Sequence, residues 1–198
     1  MLANGPCVCS RFTGLNAGRP RPAPNVTLYF TSDHHFGHGG ARGLFKRPFA
    51  TTAEMDAAMT ARWNEVVRPN DEVWHLGDFA VRQSAGRMAE LLDTLAGTKH
   101  LIVGNNDGPA TIGVAGWASV QHYAELEVDG TWLILCHYPL RTWNRIGRGA
   151  LNLHGHSHGR LAPLPRQVDV GVDCWDFRPI TRAEVRTHLR HRARIRTG

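Results

Sequence analysis

The chain has 198 residues, of which 42% are hydrophobic and 20% charged, enough to bury a sizeable core and ordinary for a globular protein. It contains no run of about 18 apolar residues, which excludes a helical membrane span, and its opening, MLANGPCVCSRFTGLNAGRPRPAPN, lacks the apolar segment of a secretory signal. The net charge of +6 belongs to the two ends: residues 178–198 carry +6 and residues 1–25 carry +3, while 26–177 carry −3.

Residues 1–25, rich in Gly, Pro and Arg, are expected to be a disordered extension. The run NVTLYFTSD predicts a first strand over 26–31. Thr51 and Glu54 have capping-box spacing, and Met55, Met59, Trp63 and Val66 recur at helical intervals, so a helix is expected over 53–67 with Pro69 beyond its end. DEVWHLGD reads as a second strand. SAGRMAELLDTLAG reads as a helix that buries Met88, Leu91, Leu92 and Leu95 and stops at Gly97. HLIVGNND is a third strand. AELEVDGTWLILCH is a hairpin around Asp129–Gly130. ALNLHGHSHG and QVDVGVD are further short strands, and Thr181 with Glu184 forms a second capping box, stapled by Ile180 and Val185, that opens an Arg-rich terminal helix. Strands alternate with helices first and follow one another later. The expected architecture is therefore α/β: one domain over 26–198, a two-sheet β-sandwich flanked by helices, with an antiparallel second half.

The four cysteines, Cys7, Cys9, Cys136 and Cys174, form no CxxC pair, so neither a zinc knuckle nor a disulfide framework is indicated, and a reducing cytoplasm is the expected compartment. Metal-competent side chains cluster instead at strand ends. Residues two apart on a strand share a side, which lets Asp33 and His35 face one site while His34 faces away. Asp78 ends the second strand, Asn105 the third and His137 the strand TWLILCH, and His156 and His158 follow another, again two apart. Ligands at the carboxyl ends of several strands describe a pocket at one edge of a sheet. A nitrogen and oxygen donor set without thiolate suits Mn, Fe, Zn or Co, and two metals sharing one carboxylate would use it fully.

The five blocks DHH (33–35), GD (77–78), GNND (104–107), CHYP (136–139) and GHSH (155–158) occur in the order that marks the calcineurin-like metallophosphoesterases. The chain resembles a small bacterial or phage-type subgroup of these enzymes, with a four-layer α/β/β/α arrangement. The resemblance implies two divalent ions, Mn2+ being expected and Fe, Zn, Ni and Co the alternatives. Asp33, His35 and His158 would hold the first, Asn105, His137 and His156 the second, with Asp78 bridging. It implies phosphodiester hydrolysis by a metal-bridging hydroxide.

One block departs from the family: Asn106 stands where a histidine is usual. An amide can donate a hydrogen bond but cannot deliver a proton at neutral pH, which points toward diesters and good leaving groups. His38, one short turn after the metal pair, is either a substitute acid or a loop histidine on the rim. Asn106 and His38 are the catalytic candidates. Arg141 and Asn144, just after CHYP, are candidate substrate contacts, and Trp143 is either a stacking surface for a base or core. The basic ends are either a nucleic-acid contact or a solvated terminal helix. The alternatives for function are a nucleotide or oligonucleotide phosphodiesterase and a non-catalytic metal-binding scaffold.

Overall fold

The structure is a computed structural model that describes residues 26–162 and 164–195; the expected extension at 1–25 lies outside them. β1 (Leu28–Thr31) is buried on both faces, as a strand inside a covered sheet must be. Tyr29 turns to the helices and Phe30 to the second sheet. A short α1 (Ala41–Leu44) leads to α2 (Thr52–Val66), where the Thr51 hydroxyl accepts the Glu54 N–H at 3.0 Å. The Glu54 carboxylate reaches back to the Ala50 N–H instead of closing the box on Thr51. The α2 residues Met55, Met59 and Trp63 form one buried stripe, and the Trp63 indole donates to the Ala96 carbonyl. β2 (Glu72–His75), α3 (Ala85–Thr94) and β3 (Thr98–Ile102) follow. α3 lays Met88, Leu91 and Leu92 on the same cluster as α2.

After α4 (Pro109–Gly113), the strand β4 (Trp117–Gln121) completes a parallel run β1–β4, and β9 (Ile180–Thr181) adds to β1 antiparallel, giving the order β4-β3-β2-β1-β9. β5 (Tyr123–Val128) and β6 (Thr131–Cys136) are the predicted hairpin, with Asp129 and Gly130 at φ 45° and 72° as its tight turn requires. β7 (Leu151–His154) and β8 (Gln167–Asp169) then add parallel to β6, in the order β5-β6-β7-β8. The expected antiparallel second half is thus corrected: in the second sheet only the hairpin is antiparallel. The connections 137–150 and 155–166 are long enough to cross back over the sheet, so each following strand runs the same way.

Two sheets therefore pack face to face over Phe30, Trp74, Leu133, Leu135, Leu153 and Val168, with α2 and α3 on the outer face of the first. Outside the second sheet lies the 137–150 connection, whose Trp143 packs with Ile134 and Ala150. α5 (Arg182–Ile195) closes the sandwich edge where β9 and β8 end, inserting Val185 into the inter-sheet core. Its capping box is reciprocal: the Thr181 N–H donates to Glu184, and the Glu184 N–H donates to the Thr181 hydroxyl. Among the described residues, no helix is long and apolar enough to cross a membrane.

Candidate metal centre

The backbone pairing of both sheets continues past the strand ends and zips the ligand loops together. Asp33 N–H donates to Gly77 O at 2.9 Å, His35 N–H to Asp78 O at 3.0 Å and Phe36 N–H to Phe79 O at 2.9 Å. In the second sheet Gly155 N–H donates to His137 O at 2.9 Å. The two halves are joined by His156 N–H, which donates to the Asp33 carboxylate at 3.0 and 3.2 Å.

Strand parity is not what aims the side chains. β1 stops at Thr31 and β7 at His154, so both histidine-bearing pairs lie beyond a strand. Asp33, His35, Asp78, His156 and His158 instead take left-handed backbone, with φ between 47° and 67°. Such conformations cost about 1 kcal/mol or more each outside glycine and persist where surrounding structure enforces them. Five of the seven residues assigned as ligands by the resemblance share this strain, so the loops are shaped to converge their side chains. The glycines of the blocks make room: a Cβ at Gly104 would collide with Asp78 Oδ1, and one at Gly77 would lie 2.6 Å from His137 Nδ1.

Two trios assemble. Asp33, His35 and His158 bring one donor atom each within 4.8 Å of one another, as do Asp33, Asp78 and His137. The Asp78 carboxylate lies between the halves, with Oδ2 3.5 Å from His35 Nε2 and Oδ1 3.6 Å from His137 Nε2. Asn105 Oδ1 meets His137 Nε2 at 3.0 Å and His156 Nδ1 at 2.8 Å.

The donor atoms are prepared from behind. His137 Nδ1 is 2.7 Å from Leu76 O and His158 Nδ1 is 2.7 Å from Asp173 Oδ2, so in each ring Nδ1 carries the proton and Nε2 turns its lone pair to the site. The His158 ring also stacks on Phe45, 3.5 Å between centroids. His35 Nε2 is buried with no hydrogen-bond partner, an orphan that a cation would satisfy. Burial holds His35 down at about 3 and lowers His137 and His156 as well, keeping these rings neutral and able to coordinate. Burial pushes Asp33 well above the carboxylate range, a penalty on its charged form that a cation would offset. The donor set fits divalent metals.

No family model matches the chain. It is 28% identical over 162 residues, covering 78% of this chain and 86% of that protein, to the uncharacterized protein MJ1445 of Methanocaldococcus jannaschii. It is 31% identical over 183 residues to the Gene 66 protein of Mycobacterium phage D29, covering 75% of this chain and 88% of the phage protein. The chain belongs to the Gene 66 family. Among solved structures, a protein of unknown function from Aquifex aeolicus, AQ665, superposes with a TM-score of 0.66 at 23% identity, covering 82% of this chain and 99% of that one; the two share a fold.

The other candidate residues of this Gene 66 family chain fall in different places. Asn106 is exposed at the site but turned onto the bridge, its N–H 2.8 Å from Asp78 Oδ1 and its Nδ2 2.6 Å from Oδ2. His38 Nδ1 lies 3.4 Å from His35 Nδ1, and burial with the Arg47 and Arg82 charges lowers its pKa. Asn144 gives its amide to both Glu125 oxygens on β5, and Arg141 is exposed; no hydrogen bond or ion pair joins either to the ligand residues. Trp143 is core, its indole bonded to Ala150 O. His34 turns away to pair with His75 at 2.9 Å.

Three residues that the motifs did not single out for the site support it. Asp107 accepts the N–H groups of Asp78, Phe79 and Gly104, fastening the second loop to the third, and burial raises its pKa to about 6. Asp173 and Arg47 stand behind His158 and Asp33. Asp173 ends the run QVDVGVD, so the strand-end pattern could have flagged it; nothing in the sequence near Arg47 could.

Proposed function

We propose that the protein is a metal-dependent phosphoesterase that uses two divalent ions and prefers phosphodiesters. The observation that carries this is Asp78, a carboxylate set between His35 and His137, one ring from each trio, with His35 Nε2 left unpartnered. Asp33, His35 and His158 would hold one ion, Asn105, His137 and His156 the other, and Asp78 both. Bound there, the ions would acidify water and offset negative charge on the phosphoryl oxygens. The all-N/O donor set makes Mn2+ the first ion to try.

The chain's own residues then hold and orient. Leu76 O and Asp173 fix two imidazoles, Asp107 fixes the Asp78 and Asn105 loops together, and Asn106 can donate to Asp78 or to a phosphoryl oxygen. It supplies no proton to a leaving group. His38, near His35 and lowered in pKa by burial, is our candidate for that role, and acid assistance from it would grow as pH falls. Metal content and Mn2+-dependent hydrolysis of bis(p-nitrophenyl) phosphate and p-nitrophenyl phosphate test the reading. Two ions per chain and faster diester than monoester turnover are expected. Metal uptake without turnover of either would leave a scaffold, and no uptake would end the proposal.

A further inference from the structure

Neither Arg47 nor Asp173 belongs to the five motif blocks, yet both are tied to the first ligand trio. Arg47, only 4% exposed, makes a two-pronged ion pair with Asp173, Nε to Oδ1 at 2.8 Å and Nη2 to Oδ2 at 2.9 Å. The same guanidinium donates to Asp33 O at 2.6 Å and to His34 O at 2.7 Å, and Nη1 lies 3.6 Å from Met55 Sδ. On its far side Asp173 Oδ2 accepts the His158 Nδ1 proton at 2.7 Å. One planar cation therefore grips the backbone that carries Asp33 and, through one carboxylate, the ring that carries His158. These groups come from four stretches of chain: the loop after β1, the turn after α1, the 3-10 turn Val172–Cys174 and the loop after β7.

The geometry has a direct chemical consequence. Asp33 holds left-handed backbone at φ 58° and His158 at φ 47°. The carbonyl of the first is clamped by Arg47, and the ring of the second is oriented by Asp173. A carboxylate on Nδ1 also makes Nε2 a better donor. Arg47 in turn offsets the Asp173 charge, which would otherwise stand unpaired beside Asp33. A buried ion pair adds little net stability over a packed apolar substitute, so orientation is the role this arrangement supports best. The other proposed ligand set, Asn105, His137 and His156, has no such relay: its histidines lean on the Leu76 carbonyl and on the Asn105 amide.

We propose that Arg47 and Asp173 are positioning residues that assemble the trio Asp33–His35–His158 and set its affinity for a divalent cation. The proposal rests on the two-metal reading given above. The test is calorimetric titration of the full chain with Mn2+, using Asp173→Asn, which keeps the shape and removes the charge, and Arg47→Lys, which keeps the charge and loses the fork. Each is made in two backgrounds. In Asn105→Ala, which impairs the set Asn105–His137–His156, either change should weaken the remaining ion about 10- to 100-fold. In His35→Ala, which impairs the first, either change should shift the remaining affinity by less than about twofold, since the bonds of Arg47 and Asp173 run to Asp33, His34 and His158 and not to Asn105, His137 or His156. A purely structural role would weaken both backgrounds alike and would overturn the proposal, as would unchanged affinity in the Asn105→Ala background. Circular dichroism of each variant identifies misfolding, and Asp173→Glu replaces any variant that unfolds: its carboxylate should recover most of the affinity lost in Asp173→Asn, and failure to do so would also count against the relay. If the unmutated chain binds no Mn2+, the two-metal reading fails and this inference with it. If it binds two ions and the relay variants match it, only the relay fails.

Discussion

The two halves of the site are built differently. Around the first trio, Asp33 and His35 are buried, His158 is half-buried, and a charged relay through Asp173 and Arg47 stands behind them. In the set Asn105, His137 and His156, only His137 is buried; Asn105 and His156 are exposed, and a neutral amide oxygen is the point where the two rings meet. A preorganised, desolvated set of donors loses little on binding a cation, whereas an exposed set must be ordered first. Two donor sets assembled from the same short motifs need not be equivalent: what lies behind the candidate ligands differs more than the candidates do.

The harshest way to break the comparison is to remove the residue that belongs to both halves. Asp78→Asn should lower occupancy at both positions and reduce diester turnover by about 10³-fold. Metal analysis decides it; loss of one ion with the other held at full affinity would show that Asp78 serves one half only. A milder treatment sharpens the contrast. Brief chelation of the loaded protein should strip one ion well before the other, and His156→Ala should abolish the fast-exchanging ion while sparing the slow one. Metal content against time reads this directly, and a single release phase would mean the halves are equivalent.

Acid offers a test away from the ligands. His75 is fully buried, and burial lowers its pKa to about 3, with the His137 and His35 rings adding to the effect. In the unfolded chain a histidine titrates near 6.5. As pH falls from 6.5 toward 3 the unfolded state takes up a proton that the fold refuses, so stability is lost across that window, by about 1.4 kcal/mol per pH unit from this group. Below about 3 both states carry the proton and the loss stops. Urea unfolding at several pH values should show a shallower slope in His75→Gln, and an unchanged slope would remove His75 as a cause. The smallest effect is expected at the basic end. Truncation after Leu189 removes Arg190, Arg192, Arg194 and Arg196. Diester turnover should stay within about twofold, because none of the four lies in the ligand blocks. A larger fall, or a flattened salt dependence of single-strand binding, would bring the tail into substrate recognition.

Much of this was legible in the chain. The stripe Met55–Met59–Trp63, the Asp129–Gly130 turn and both capping-box spacings depend on a few neighbouring residues, and local rules read them well. β4 escaped because WASVQ is an edge strand without a buried face to impose alternation, and β9 because two residues are too few to carry a pattern. Parallel pairing of β7 and β8 depends on where two long connections cross, which hydrophobic pattern does not encode.

The site divides in the same way. Motif order brought forward the seven candidate ligands, since each metal-competent side chain must sit where a strand delivers it. How they converge is tertiary: left-handed corners at Asp33, His35, Asp78, His156 and His158 exist only because backbone bonds from neighbouring loops enforce them. The same holds for Arg47 and Asp173, which are 126 residues apart in the chain. An ion pair over that separation leaves no periodicity and no spacing rule in the sequence, because only the folded sandwich brings the turn after α1 against the end of the second sheet.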